Sequence, residues 1–190
     1  NFFDKIVVTS DSEKILKITK KYKIDLAIKR PLNLATKNIS KHKAIIHAVK
    51  KSEKYFNEKY DYIFDLDICS PLRNISDIKN SFNIMIKKKS PNLITVCNSK
   101  RNPYFNMVEY KNKNLILCKK LNKKILSRQK APKVYDMNSS IYIWQKLFLF
   151  KNATTITPKT AIYVMPQNRS YDLDEVDDID IIKFFLKKIK

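Results

Sequence analysis

Apolar residues along the chain recur at two alternating spacings. "KIVVTS" (residues 5–10) is a short β-branched run that ends in polar residues, the mark of a buried strand. "SDSE" (Ser10 to Glu13) then has the form of a capping box, and Ile15, Leu16, Ile18 and Tyr22 follow at helical spacing. "DLAIKRP" predicts a second strand stopped at Pro31. From Ser40 a second helix carries Ile45, Ile46 and Val49 on one face. "YDYIFDLDI" (60–68) is the most strand-like run. After it Asn74 is placed to cap a helix with Ile75, Ile78, Phe82 and Met85 turned to the core. "NLITVCN" (92–98) is a further strand.

Strands alternating with amphipathic helices predict an α/β fold built on a layered sheet with right-handed crossovers. Such sheets bind ligands at the carboxyl ends of their strands, which here fall at residues 9–12, 29–35 and 67–73. The alternation breaks from residue 99. Short β-like pieces, a Lys/Asn-rich hairpin turn near 111–114 and no long amphipathic helix predict a small lobe over 99–134, inserted into a main domain of 1–98 and 135–190. "SIYIW" and "AIYVM" return as strands. A last helix is expected to place Val176, Ile179, Ile182, Leu186 and Ile189 inward.

Composition narrows the picture. The chain has 190 residues, enough for one domain with a real core. No apolar run approaches the roughly 20 residues a transmembrane helix needs, so a soluble, cytoplasmic protein with no membrane partner is expected. Three cysteines without paired spacing predict free thiols rather than disulfides or zinc. His42 and His47 lie five apart on a helix, a poor metal geometry, and His47 is expected to be packed. The net charge of +21 raises a nucleic-acid partner, but only 5 of the 39 basic residues are Arg and the lysines are scattered, as solvated helix faces are. No nucleic-acid partner is therefore expected. Scarce arginines become the better candidates for bidentate anion contacts. Glycine is absent, so no glycine-rich phosphate loop exists in this chain, and turns of positive φ fall to other residues.

Four stretches carry candidate chemistry. In "RSYDLDEVDDID" (169–180) an extended backbone turns Asp172 and Asp174 to one side, an oxygen pair of the kind Mg²⁺ takes; a surface pair is the alternative. Glu175, Asp177 and Asp178 suit the first turn of a helix, and Asp180 faces solvent. In "DLDICSPLR", Ser70, the amides after it and Arg73 are placed to receive an anion or a base edge; a proline-stiffened turn with Arg73 paired to an acid is equally open. "KRPLNLA" aims Arg30 outward from a strand end, unless it is simply a loop arginine. "SRQKAPKVYDMNSSIYIW" holds Arg128, Gln129, Asn138, Ser140 and Tyr142, a set able to bind a polar ligand or to form a satisfied loop and strand.

These blocks, with "VVTSDSEKI", "RNPYFNMVEY" and "YVMPQNRSYDLDEVDDI", stand in the order found in acylneuraminate cytidylyltransferases, and the chain resembles that family over essentially its whole length. The resemblance implies a three-layer, nucleotide-diphospho-sugar-transferase-like (Rossmann-like) mixed sheet, with 99–134 as a dimerisation lobe in a homodimer. It implies CTP and a nine-carbon nonulosonic acid sugar, of sialic, legionaminic or pseudaminic type, as substrates. It also implies Mg²⁺ as cofactor on Asp172 and Asp174, which become the catalytic and metal residues. Arg30, Lys41, Asp67, Ser70 and Arg73 correspond to the nucleotide side. Phe105, Asn106, Arg128, Gln129, Asn138 and Tyr142 correspond to the sugar side. "DLDICSPLR" and "YDMNSSIY" resemble the branch that handles legionaminic-type sugars. Lys23 follows a helix at a position where the family usually has glycine, and is one expected place for the strain of positive φ. The family opens with a strand and a basic loop of the form A-R-x-G-S-K, whereas this sequence opens at Asn1 near the family's second strand. The expectation is an N-terminally truncated chain, weak or inactive alone. A noncatalytic remnant of the fold and, further off, a nucleic-acid-binding protein are the alternatives.

Overall fold

A computed structural model describes residues 2–36, 39–123, 125–152 and 154–188, with the backbone of residue 189. Asn1 and the side chain of Ile189, expected on the last helix's inner face, lie outside the described residues. The chain divides into two compact units. The first comprises Asn1–Asp65, Lys89–Leu93 and Tyr142–Thr160; the second comprises Leu66–Lys88, Ile94–Ile141 and Ala161–Lys190.

In the first unit, β1 (Val7–Ser10) pairs in parallel with β2 (Leu26–Lys29), from Val7 opposite Leu26 to Ser10 opposite Lys29. The crossover between them is α1 (Glu13–Thr19), and α2 (Lys41–Phe56) follows. Ser12 caps α1, its side chain accepting from Ile15 N–H, in place of the expected Ser10. Ser10 instead turns its buried hydroxyl to Ser12 N–H at 3.1 Å, because the strand pairing still holds its backbone. Only Leu16 of α1 is buried. The core of this unit gathers Val49 of α2, Ile63, Trp144 and Leu149, with Ile45, Ile46, Tyr60 and Phe148 against them. Ile63 lies on β3 (Tyr62–Leu66), Trp144 near the end of β7 (Tyr135–Gln145) and Leu149 on α4 (Lys146–Lys151).

The second unit holds α3 (Ile75–Lys87), most of β4 (Asn92–Asn98), the hairpin of β5 (Val108–Lys111) and β6 (Asn114–Leu117), β8 (Ala161–Val164) and α5 (Asp178–Ile189). Strands are hydrogen-bonded in the order β3-β7-β4-β8. Six of the seven residues of β4 are buried, as an interior strand covered on both faces requires. β5 and β6 are antiparallel around Asn112 and Lys113, both at positive φ (51° and 65°), so the turn expected near 111–114 is present without glycine. Asn74 caps α3 as expected, and Asp77 completes a reciprocal capping box.

Several expected faces turn out differently. Ile78 and Met85 of α3 are buried, but Ile75 is 68% exposed because it sits in the first turn, beyond the reach of the core. α5 starts only at Asp178. Val176 therefore precedes the helix and is exposed, Ile182 is buried, and Ile179 and Leu186 stay on the surface. Lys23 does not adopt positive φ. The left-handed positions among the described residues are Asn57 and Lys89, each just beyond a helix, with Asn112, Lys113 and Ser139.

Candidate functional site

In the second unit the end of β3 runs into the turn Asp67–Leu72. There Asp67 Oδ1 accepts from Cys69 N–H (3.1 Å) and Ser70 N–H bonds back to the Asp67 carbonyl. Arg73 fixes this turn through backbone carbonyls. Its Nη1 donates to the carbonyls of Ser70 (3.0 Å), Ser140 (3.3 Å) and Asp67, so the guanidinium holds the turn against β7. On β7, Ser139 is at φ 51°, and Asn138 and Ser140 on either side of it are both buried. Asn138 Oδ1 accepts from Thr95 Oγ1 (2.7 Å), and its Nδ2 donates to Ser170 Oγ (2.9 Å).

Residues 171–174 belong to no helix or strand, and Leu173 N–H bonds to the Cys69 carbonyl at 2.8 Å. This brings Asp172 to Ser70, whose hydroxyl donates to Asp172 Oδ1. Burial raises the Asp172 pKa. The Ser70 hydrogen bond opposes it, and the charges of Asp174, Asp67 and Asp178 add to burial. The Cys69 thiol is raised for related reasons, burial first and then Asp67, Asp174 and Asp172. Asp67, Asp172 and Asp174 thus crowd one polar rim. Asp178 turns its carboxylate back to accept from Asp174 and Glu175 N–H (2.9 and 2.7 Å), a helix-start role, and Asp180 is solvent-facing beside Lys183.

The donor set fits a hard cation. A half-buried carboxylate, raised by burial and then by its acidic neighbours, beside an exposed one is relieved when a divalent charge arrives, and Mg²⁺ asks for only one or two such ligands. Among the described residues no three His, Cys, Asp or Glu groups cluster as a metal site, and Asp172 and Asp174 are the two carboxylates that would hold such an ion.

The remaining expected residues of this unit lie elsewhere on it. Asn106 Oδ1 accepts from Asn102 N–H (2.7 Å) and Phe105 is 37% exposed beside it. Arg128 and Gln129 share a single 3-10 turn, where Arg128 Nη2 donates to the Ser99 carbonyl at 3.0 Å.

In the first unit, Arg30 Nη2 donates to the Thr9 carbonyl at 2.8 Å across the β1–β2 ends. Lys41, the first residue of α2, pairs with Asp65 at 2.6 Å and lies 5.2 Å above the Tyr142 ring, which stacks on Trp144 (5.6 Å, 5°). These residues, with Ser40 and His42, line a cavity of about 310 Å³. Burial depresses the His42 pKa, Asp65 opposing and Lys41 reinforcing it, so the imidazole is neutral near pH 7. Trp144 Nε1 and His42 Nε2 are buried there without a hydrogen-bond partner among the described residues.

The sequence reading passed over Asp77 and Tyr163. Asp77 is fully buried and receives Arg169 through both oxygens (2.8 and 2.8 Å) and Tyr163 Oη (3.2 Å). The signal was present in "NISD", a capping-box spacing, but nothing in it names Arg169 as partner 92 residues away.

The architecture is that of a nucleotidyltransferase. The structure aligns with 4-diphosphocytidyl-2C-methyl-D-erythritol synthase of Anaerococcus prevotii at a TM-score of 0.61 and 13% identity, over 97% of this chain and 79% of that one. No family model matches the chain. In sequence it is 36% identical to the post-translational flagellin modification protein B of Campylobacter coli, over 98% of this chain and 78% of that protein. It is 35% identical to the CMP-N,N'-diacetyllegionaminic acid synthase of Campylobacter jejuni, over 97% of this chain and 77% of that protein. It is 25% identical to a pseudaminic acid cytidylyltransferase of the same species, over 97% and 79%. The chain belongs to the acylneuraminate cytidylyltransferase family.

Proposed function

We propose that the protein transfers the cytidylyl group of CTP to a nonulosonic acid. The anomeric hydroxyl oxygen forms a bond to the α-phosphorus, the bond to the bridging oxygen of pyrophosphate breaks, and the hydroxyl proton is lost to solvent or base. The observation that carries this reading is the convergence of Asp67, Asp172 and Asp174 in a chain of this family. A Mg²⁺ ion held by Asp172 and Asp174 would supply charge neutralisation for the transferring and leaving phosphates. The chain's own residues do the holding: Ser70 fixes one Asp172 oxygen, and Asp178 fixes the backbone at Asp174.

Arg30 and Lys41, with Asp67, Ser70 and Arg73, are assigned to the nucleotide. Phe105, Asn106, Arg128, Gln129, Asn138 and Tyr142 are assigned to the sugar, where an arginine suits the carboxylate. A legionaminic-type acid is preferred on the higher identity to the legionaminic enzyme, 35% against 25% for the pseudaminic one. A homodimer through the 99–134 lobe is supported by its exposed apolar side chains, Val108, Tyr110 and Leu115 among them. Three free cysteines fit a reducing cytoplasm, and no helix among the described residues is long and apolar enough to cross a membrane.

The test is turnover of CTP with N,N'-diacetyllegionaminic acid and Mg²⁺, followed by pyrophosphate release. Formation of the CMP-sugar, lost in Asp174→Ala, is expected; no product with either legionaminic or pseudaminic acid at high enzyme concentration would reject the reading.

A further inference from the structure

The segment that carries Asp172 and Asp174 belongs to no helix or strand, so no regular hydrogen-bond ladder fixes it. Its upstream end is fastened by side chains instead. Asp77, at the start of α3, is fully buried, yet it needs only one backbone N–H to complete the capping box with Asn74. A capping carboxylate does this equally well at the surface. Here it also takes the fork of Arg169, Nε to Oδ2 and Nη2 to Oδ1 at 2.8 Å each, together with the Tyr163 hydroxyl. Burial alone would push its pKa up, but hydrogen bonds from Arg169 and Asn74 N–H bring it below the usual range, so the pair is ionic.

A buried ion pair is seldom more stabilising than apolar residues of the same volume, and its attested use is to fix one arrangement among several. What this one fixes is the 3-10 turn Gln167–Arg169, which leads within three residues to Asp172. A second buried tie acts beside it, Asn138 Nδ2 to Ser170 Oγ at 2.9 Å, with Ser170 Oγ donating in turn to the Pro166 carbonyl. Asp172 then meets Ser70.

We propose that Asp77 and Arg169 are positioning residues that hold the Asp172–Asp174 pair in its metal-ready arrangement, acting through the 167–170 turn rather than on the substrate. This rests on the assignment of Asp172 and Asp174 to a divalent cation. Positioning shells of this kind typically change metal affinity by about 10- to 100-fold when broken.

The experiment measures Mn²⁺ affinity of the full chain by spin resonance, with thermal melting on the same samples. Arg169→Gln is expected to weaken Mn²⁺ binding at least about tenfold. Arg169→Lys, which keeps the charge and loses the fork, should fall between it and wild type. Lys146→Met, which breaks the Lys146–Glu53 pair of the first unit (2.5 Å), should lower the melting point without moving Mn²⁺ affinity. Should Arg169→Gln not fold, Arg169→Lys and Tyr163→Phe carry the comparison. Unchanged affinity in the Arg169 variants, with affinity lost in Asp172→Asn, overturns the positioning role. Unchanged affinity in Asp172→Asn overturns the metal assignment itself.

Discussion

At the scale of single residues, Asp172 shows how a site built for charge works against the fold that carries it. Its pKa in the folded chain is raised above the unfolded value, by burial first and then by Asp174, Asp67 and Asp178. The folded state therefore holds this proton more tightly. Stability is highest below the unfolded Asp value of about 3.9, falls as pH rises through the window up to the raised folded value, and stays depressed above it. Asp172→Asn removes the penalty while keeping an acceptor for the Ser70 hydroxyl. The variant should melt above wild type at pH 7 without divalent cation, and the gap should close below about pH 4. Millimolar Mg²⁺ should raise the wild-type melting point and leave the variant's unchanged. Scanning fluorimetry across pH, with and without Mg²⁺, checks this, and a variant that melts lower at pH 7 contradicts it.

At the scale of elements, the absence of glycine leaves a cost that can be located. α3 ends at Lys87, its cap Lys88 is still right-handed, and Lys89 takes φ 50°. α2 ends with Asn57 at φ 53°. A side-chain-bearing residue in this region costs roughly 1–2 kcal/mol, less for Asn, whose short polar chain bonds locally. Lys89→Gly should therefore stabilise by about 1 kcal/mol, seen as a rise of roughly 2–4 °C in melting point, and Asn57→Gly by less. A fall in either would mean that the lysine's own contacts or the added freedom of the unfolded chain decides the balance. Elements are also where the sequence was most readable. Strands such as Asn92–Asn98 and helices such as Ile75–Lys87 announced themselves by spacing, because burial on both faces or on one leaves a distinct apolar period. Faces near helix ends were not readable, since whether Ile75 or Val176 meets a core depends on what lies opposite. The cap expected at Ser10 falls to Ser12, because strand pairing still holds Ser10. The D-x-D pair stood out in the sequence by its spacing. Its support by Ser70, Asp77 and Arg169 did not, because those contacts span 92 to 102 residues.

At the scale of the whole molecule, the +21 net charge is carried by lysine. Four of the five arginines donate to protein acceptors: Arg30 to the Thr9 carbonyl, Arg73 to carbonyls around Ser70, Arg128 to the Ser99 carbonyl and Arg169 to Asp77. A carbonyl neutralises no charge, but with only 5 of the 39 basic residues arginine most of the unbalanced charge sits on lysine ammonium groups, where interactions beyond about 8 Å are screened at 0.15 M ionic strength. Mutual repulsion destabilises the compact state at low salt, and the few partly buried ion pairs, such as Lys146 with Glu53, are screened far less. The melting point should therefore climb as sodium chloride is added, most steeply below about 0.15 M. The same field draws anions, so the KM for a polyanionic nucleotide should rise over that range while kcat holds, because screening weakens encounter rather than chemistry. A melting point that falls with salt would place the balance with local ion pairs instead. A KM indifferent to salt would mean that the surplus lysines lie too far from the nucleotide's approach to steer it.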